Sequence, residues 1–363
     1  MQGSAAAETP PVPARQSQRA APGAVQFEPR ELREVLARYA LGAIRSIRPL
    51  VGGDPHSPKV LIDSEAGRLI LKRRPEGVTA EALHAALRLQ RIVFDARGPV
   101  PEPIAAMDGG ATASIGGHAT YALERFVQGG SCPRTPAAAR SAGLALGAFH
   151  ATLASCEPPA GLPCRPPLSE QGVMQGFKEL ASLLPALVGA SNRLAAAWSW
   201  AVGAGGDPTA VPHAPLHGDL HPGNTVYAGS DLTAIVDLTR AGIGSQFHEA
   251  ASAAVLFSLA PLGPDARAWT READDASLAS FWRGYLGKPR EPRRVRVVVP
   301  AMVVALAEQA AVSRPSTQAF GRRRPAELMA YVADVAADLR ARRDAIEAAI
   351  ADDERRRPAG KPA

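Results

Sequence analysis

Apolar positions along the chain keep one of two rhythms, and the first change of rhythm falls near residue 45. Between residues 27 and 44, Leu32, Val35, Leu36, Tyr39 and Ala40 recur at helical spacing, which predicts an amphipathic helix. Three short β-type runs follow at residues 47–51, 59–63 and 68–74. The segments GGDPHSP and SEAG between them are turn signals of hairpin length, so the strands are expected to run antiparallel. Thr79 is placed to cap a second helix whose apolar face is Leu83, Ala86, Leu87, Val93 and Phe94, with Gly98 as its stop. Two further strands, residues 112–115 and 120–126, flank the Gly116-Gly117 turn. The expected unit has five strands with a helix inserted after the third.

After residues 127–136, a Gly/Ser/Pro-rich linker, the chain turns Ala/Leu-rich and helical, with PAAARSAGLALGAFHATL as its first long helix. Prolines gathered at 158–167 and 208–215 mark loops between helices. Residues 1–26 hold too few large apolar side chains to offset the entropy of ordering, and they are expected to be a disordered leader. The sequence thus divides into a leader (1–26), a β-rich unit (27–126), a helical unit (127–350) and a charged tail (351–363).

Composition narrows the function classes. Lys and Arg number 41 against 35 Asp and Glu, a net charge of +6, and aromatics are only 5% of the chain. Basic groups without interleaved aromatics do not make a base-stacking surface, so no nucleic-acid partner is expected. Cys132, Cys156 and Cys164 form no C-x-x-C pair, and the N-terminal stretch lacks the apolar core of a signal peptide. The most apolar stretch, 297–312, is interrupted by Pro300 and Glu308 and is shorter than the roughly 20 residues that span a bilayer. A cytoplasmic protein with no membrane partner is expected.

The chemistry concentrates in LHGDLHPGN, residues 216–224, followed by TVYAGSDLTAIVDL. Residues 225–228 and 232–238 read as strands around the Gly229-Ser230-Asp231 turn, which puts Asp219, Asn224 and Asp237 at successive edges of a loop and hairpin. Asp219 and Asn224 stand five apart, the spacing at which a kinase catalytic loop places its proton-accepting Asp and its magnesium-binding Asn. Asp237, one hairpin later, stands where a second metal-binding carboxylate belongs. Mg²⁺ prefers a few hard oxygen ligands and keeps several waters, so this donor set suffices beside nucleotide phosphates. A rival reading takes His217, Asp219 and His221 as a zinc-binding H-x-D-x-H cluster of a metallohydrolase.

With His217, Gly218, Asp219, His221 and Asn224 in the register H-G-D-x-H-x-x-N, the chain resembles the aminoglycoside phosphotransferase and choline kinase superfamily, small-molecule relatives of protein kinases, over about residues 27–350. The resemblance implies an α+β, bilobal, protein-kinase-like fold, with a five-stranded antiparallel, nucleotide-binding N-lobe at 27–126 and a mostly helical C-lobe at 127–350 that carries the catalytic loop and acceptor site. It implies ATP and Mg²⁺ as cofactors, Asp219 as the catalytic base, and Asn224 and Asp237 as metal ligands. Lys72, ending the run Leu69-Ile70-Leu71-Lys72, is implied as the phosphate-binding lysine. Ser57, in the loop before it, is a candidate phosphate contact, and Glu124 and Phe126 fall in the hinge whose backbone holds adenine. Glu81 stands where a carboxylate partner of the lysine is sought. His150 is read as structural, and Glu249 occupies a position where the family often has Asp.

The implied activity is transfer of the γ-phosphoryl group to a hydroxyl of a small molecule, with acceptor specificity expected from residues 169–200 and 250–312. Residues 127–363 carry 25 Lys/Arg against 22 Asp/Glu, a balance unsuited to steering a polycation. The expected acceptor is therefore an amino alcohol, hydroxy amino acid or sugar, with an aminoglycoside antibiotic as the alternative. An inactive nucleotide-binding module is the alternative of another class.

Overall fold

The computed structural model describes residues 26–50, 57–75, 77–116, 119–165, 168–207, 212–262, 265–287, 295–312 and 325–351. The leader before residue 26, most of the GGDPHSP loop, Glu76 and the tail after residue 351 lie outside the described residues. Two compact units are present, one of Met1–Ala80 with Pro103–Gly130, the other of Glu81–Glu102 with Ser131–Ala363.

The first unit is an antiparallel sheet. Its strands are β1 (Ile44–Pro49), β2 (Lys59–Ser64), β3 (Gly67–Arg73), β4 (Pro103–Ile104), β5 (Ala113–Ile115) and β6 (Ala119–Arg125), in the order β1-β2-β3-β6-β4 with β5 also on β6. Six strands stand where five were expected, because the two-residue β4 is too short to leave a period-2 pattern. Side-chain alternation sorts the faces. Leu69, Leu71, Tyr121 and Leu123 enter the core with Ile62, and α1 (Pro29–Leu36) closes it with Val35 and Leu36. The helix is shorter than the 27–44 expected from its spacing. Beyond Leu36 the apolar Tyr39 and Leu41 still reach the same core, so burial keeps a helical rhythm where the backbone does not. Glu31 of α1 ties helix to sheet by accepting from both Arg73 and the Tyr121 hydroxyl, each at 2.8 Å.

The second unit begins with α2 (Ala80–Asp95), which packs Ala85, Ala86, Leu89 and Val93 into that unit's core. Its stop uses Arg97 in the left-handed region (φ 61°), one residue before the glycine that the sequence nominates. The helices α3 (Pro136–Ala154), α4 (Glu170–Leu183), α5 (Val188–Ala201), α6 (Gln246–Ser258), α7 (Asp275–Leu286), α8 (Val298–Val312), α9 (Pro325–Ala341) and α10 (Arg343–Ala351) build the rest. α3 and α7 approach almost backbone to backbone, since a Cβ on Gly143 would lie 2.0 Å from the Phe281 carbonyl oxygen and one on Gly284 2.2 Å from that of Arg140. α8, the most apolar stretch of the sequence, is buried nearly all round and forms the unit's axis. Pro300 interrupts nothing because it sits in the first turn, where its missing N–H has no intrahelical partner to lose. Among the described residues no helix is long and apolar enough to cross a membrane.

Two small sheets carry the loops of interest. β7 (His213–Leu216) pairs with β10 (Gly242–Ser245), and β8 (Thr225–Ala228) with β9 (Asp231–Ile235), all antiparallel. The strand expected over 232–238 ends at Ile235, ahead of Asp237, which adopts a left-handed backbone (φ 69°).

Candidate active site

The loop after β7 is held by a carboxylate. Glu249, in the first turn of α6, accepts the backbone N–H of Gly218 on Oε1 and that of His217 on Oε2, the latter at 3.1 Å. His150 of α3 donates to the same Oε2 from Nε2 at 2.8 Å and meets the Tyr285 hydroxyl at 3.0 Å through Nδ1. Burial alone would raise the Glu249 carboxyl, but the hydrogen bond from His150, the two imidazoles and the Gly218 amide hold it below its ordinary value. Gly218 is required on two counts. Its φ is +83°, and a Cβ there would fall 1.9 Å from the Arg240 carbonyl oxygen.

His217 is fully buried and spends both ring nitrogens on backbone. Val236 O can only accept, so Nε2 carries the proton in that 3.1 Å bond, and Nδ1 accepts the Asp219 N–H at 3.2 Å. His221 accepts the Gly223 N–H on Nδ1 at 3.0 Å and so caps the short turn Pro222–Asn224. The histidines are thereby scaffolding. With both ring nitrogens committed to backbone, His217 has none left for the zinc ligation of the alternative reading.

Asp219 emerges from this clamped loop with its side chain partly open to solvent. Arg240 Nε lies 3.8 Å from its Oδ2. Partial desolvation raises the Asp219 carboxyl, against the pull of His221, Arg240 and His217. The Asn224 amide donates from Nδ2 to Asp219 O at 2.9 Å, and Val236 N–H donates to Asn224 O at 2.9 Å, so Asn224 bridges the loop to the segment leading into Asp237. Thr239 donates its hydroxyl to Asp237 Oδ1 at 2.7 Å. An amide and a carboxylate of this kind are hard-oxygen donors, the chemistry that Mg²⁺ takes from proteins.

Beside Asp219 opens a cavity of about 290 Å³ whose wall includes Arg165, Gly218, Asp219, His248, Ser252, Ala305, Glu308 and Gln309. Ser252, Ala305, Glu308 and Gln309 of its wall come from the 250–312 stretch. From the other side it is Arg165 and Leu168 that contribute, just ahead of the 169–200 stretch. No local motif marks Arg165, while Glu308 stands out in the sequence only as the one acidic residue within the apolar stretch 297–312.

In the first unit, Lys72 and Glu124 meet at 2.5 Å (Nζ to Oε1). Strand register explains the pair. Lys72 stands opposite Ala122, which makes Glu124 its diagonal neighbour on the face away from the core. A carboxylate partner thus comes from the next strand; Glu81 belongs to the second unit, with its side chain against Gly161. Glu124 lies in a strand flanked by β3 and β4, opposite Ile70 and Pro103 respectively. Phe126 donates its N–H to Arg68 O at 2.9 Å and lies under the Arg68 guanidinium, 4.3 Å from the ring centroid. Ser57 donates its hydroxyl to Arg73 O at 2.7 Å.

The family model described as "Phosphotransferase enzyme family" matches residues 46–298. A homoserine kinase of Bradyrhizobium sp. (strain BTAi1 / ATCC BAA-1182) is 28% identical over 213 residues, which are 57% of this chain and 62% of that protein, so the chain matches less than two thirds of its relative's length. Two solved structures share the fold. Amicoumacin kinase in complex with AMP-PNP, Ca²⁺ and Ami superposes with a TM-score of 0.60 at 14% identity, over 89% of this chain and 94% of the other. Spectinomycin phosphotransferase in complex with ADP and spectinomycin gives 0.60 at 15% identity, over 86% and 99%.

Proposed function

The chain belongs to the phosphotransferase enzyme family, and from that premise we propose that it transfers the γ-phosphoryl group of ATP to a hydroxyl of a small molecule. The observation that carries this reading is the Glu249 clamp, which fixes His217 and Gly218 by their amides and so presents Asp219 at the wall of a ligand-sized cavity. The acceptor oxygen attacks the γ-phosphorus and the bond to the bridging oxygen of ADP breaks. The acceptor's proton passes to the Asp219 carboxylate. Holding the base in one position, with little reorganisation during the reaction, is the protein's main contribution to rate.

Asn224 and Asp237 are the residues assigned to Mg²⁺, which when bound supplies charge neutralisation on the phosphates. Lys72 is assigned to the nucleotide phosphates, with Glu124 orienting its ammonium group on the sheet face. Ser57 is better suited to supporting Arg73 at the end of β3, its hydroxyl proton being already committed. The unbridged thiols Cys132, Cys156 and Cys164 fit a reducing cytoplasm.

A hydroxy amino acid is the preferred acceptor, since the curated relative is a homoserine kinase, ahead of an amino alcohol or sugar. An antibiotic acceptor is the second reading, because both structural neighbours described above act on antibiotics by name. The deciding experiment is an acceptor screen with γ-labelled ATP over homoserine, amino alcohols, sugars, spectinomycin and aminoglycosides. Label transfer to a small hydroxy metabolite supports the proposal, and ATP binding without transfer to any acceptor contradicts it.

A further inference from the structure

The wall of the cavity beside Asp219 carries a carboxylate, Glu308, and a guanidinium, Arg165, neither of which forms an ion pair among the described residues. Glu308, on α8, has its Oε1 buried with no hydrogen-bond partner among the described residues. The Trp198 indole and the Leu168 backbone lie beside this carboxyl, yet burial dominates and pushes it up to about 7. A carboxylate in such a position lacks a cation. Arg165 lines the same cavity, its backbone N–H fixed to Ile243 O at 2.8 Å. Its guanidinium has room because β10 passes beneath it as glycine, where a Cβ on Gly242 would lie 2.9 Å from Arg165 Nε. Burial holds the Arg165 guanidinium below its ordinary value and the charge of Arg240 opposes its own, while Asp219 and Glu249 attract it without forming an ion pair among the described residues. Arg240 is the guanidinium beside Asp219.

We propose that Glu308 and Arg165 read the two ends of a zwitterionic acceptor, Glu308 taking its ammonium group and Arg165 its carboxylate while the acceptor's hydroxyl faces Asp219. An amino alcohol answers only Glu308 and a hydroxy acid only Arg165. A sugar answers neither charge, and a polycation meets Arg165 and Arg240 unfavourably. The volume of about 290 Å³ is at the lower edge of the range for ligand pockets and suits a small amino acid. This assignment rests on the phosphotransferase reading and names the acceptor class of the same site.

The test uses the full chain and three probes: L-homoserine, 4-hydroxybutyrate, which lacks the ammonium, and 3-aminopropan-1-ol, which lacks the carboxylate. For each, kcat/KM is measured with ATP and binding is measured by calorimetry without it, in wild type, Glu308→Gln and Arg165→Met. Wild type is expected to prefer homoserine at least about tenfold over either truncated probe, in line with charge-assisted hydrogen bonds. Glu308→Gln should collapse the homoserine to 4-hydroxybutyrate ratio, and Arg165→Met the homoserine to 3-aminopropan-1-ol ratio. Thermal unfolding checks each variant's fold, and Arg165→Lys, which keeps the charge, should retain part of the carboxylate preference. Binding ratios that respond in this way without phosphorylation uphold the charge assignment while the reaction assignment fails. Equal turnover of all three probes, ratios unmoved by both variants, or binding of none of the probes overturns the charge assignment.

Discussion

Glu249 receives the amide N–H of Gly218, so a side chain on α6 sets the backbone position immediately before Asp219. The residue at this helix start is therefore a positioning residue for the loop that carries Asp219, which it reaches from about thirty positions away.

Removing that charge is expected to hurt both fold and turnover. Glu249→Gln keeps the shape but turns an amide NH₂ toward backbone N–H donors, and it should cost about 3 kcal/mol or more as a broken buried charge network. In wild type the depressed carboxyl contributes stability that is fully present above its unfolded pKa, about 4.3, and is lost as pH falls through the folded value. Urea titrations between pH 3 and 7 check this, the variant showing a shallower acid-side decline than wild type.

Glu308 carries the opposite sign. Its folded pKa, about 7, lies above the unfolded one, so the folded state holds the extra proton and stability should fall as pH rises from about 4.5 to 7, then level off. The charges and titratable groups around it are Asp207, which raises it further, and His248, Asp219, Glu249 and Arg165 around the cavity. Glu308→Gln is expected to remove about 1–3 kcal/mol of that decline. Melting temperatures of both proteins at pH 5 and pH 8 provide the comparison, and parallel pH profiles would contradict it.

Lys72 and Glu124 can be separated by a double-variant cycle. Lys72→Met should raise KM for ATP at least about tenfold and destabilise the first unit, because Glu124, 4% exposed, is left charged and unpaired. Adding Glu124→Gln should restore the stability and leave the nucleotide affinity low. If ATP affinity recovers along with stability, the lysine's role is structural.

Asp237 tests the metal assignment. Asp237→Ala is expected to abolish the Mg²⁺ dependence of nucleotide binding, read by calorimetry with and without the ion, and retention of the full dependence would assign the metal elsewhere.

Short-range patterns carried most of what could be read in advance. The strands around Lys72 and the loop holding Asp219 and Asn224 are written in local periodicity and spacing. The pairing of Lys72 with Glu124 is not legible in the sequence, because it follows from the diagonal register of β3 against β6, and the position of Glu124 along the chain marks only its backbone. Glu249 was visible only as a departure from a family pattern. Its function depends on contacts 31 and 32 residues away with Gly218 and His217, and 99 away with His150. Arg165 lies just ahead of the stretch expected to shape the acceptor site, placed there by a backbone bond to Ile243 that no local signal announces. The left-handed Asp237 likewise has no signature in sequence, since an Asp with positive φ is held there by its surroundings.

The role of Asp219 as the proton acceptor is tested by the steady-state rate of Asp219→Asn with ATP, Mg²⁺ and the best acceptor from the screen. The substitution keeps the shape of the side chain and leaves the Asp219 backbone bonds to His217 and Asn224 in place, removing the proton acceptor together with its charge beside Arg240. If Asp219 is the proton acceptor, kcat should fall by about 10² or more with ATP affinity retained. A folded variant that turns over at close to the wild-type rate would contradict that role.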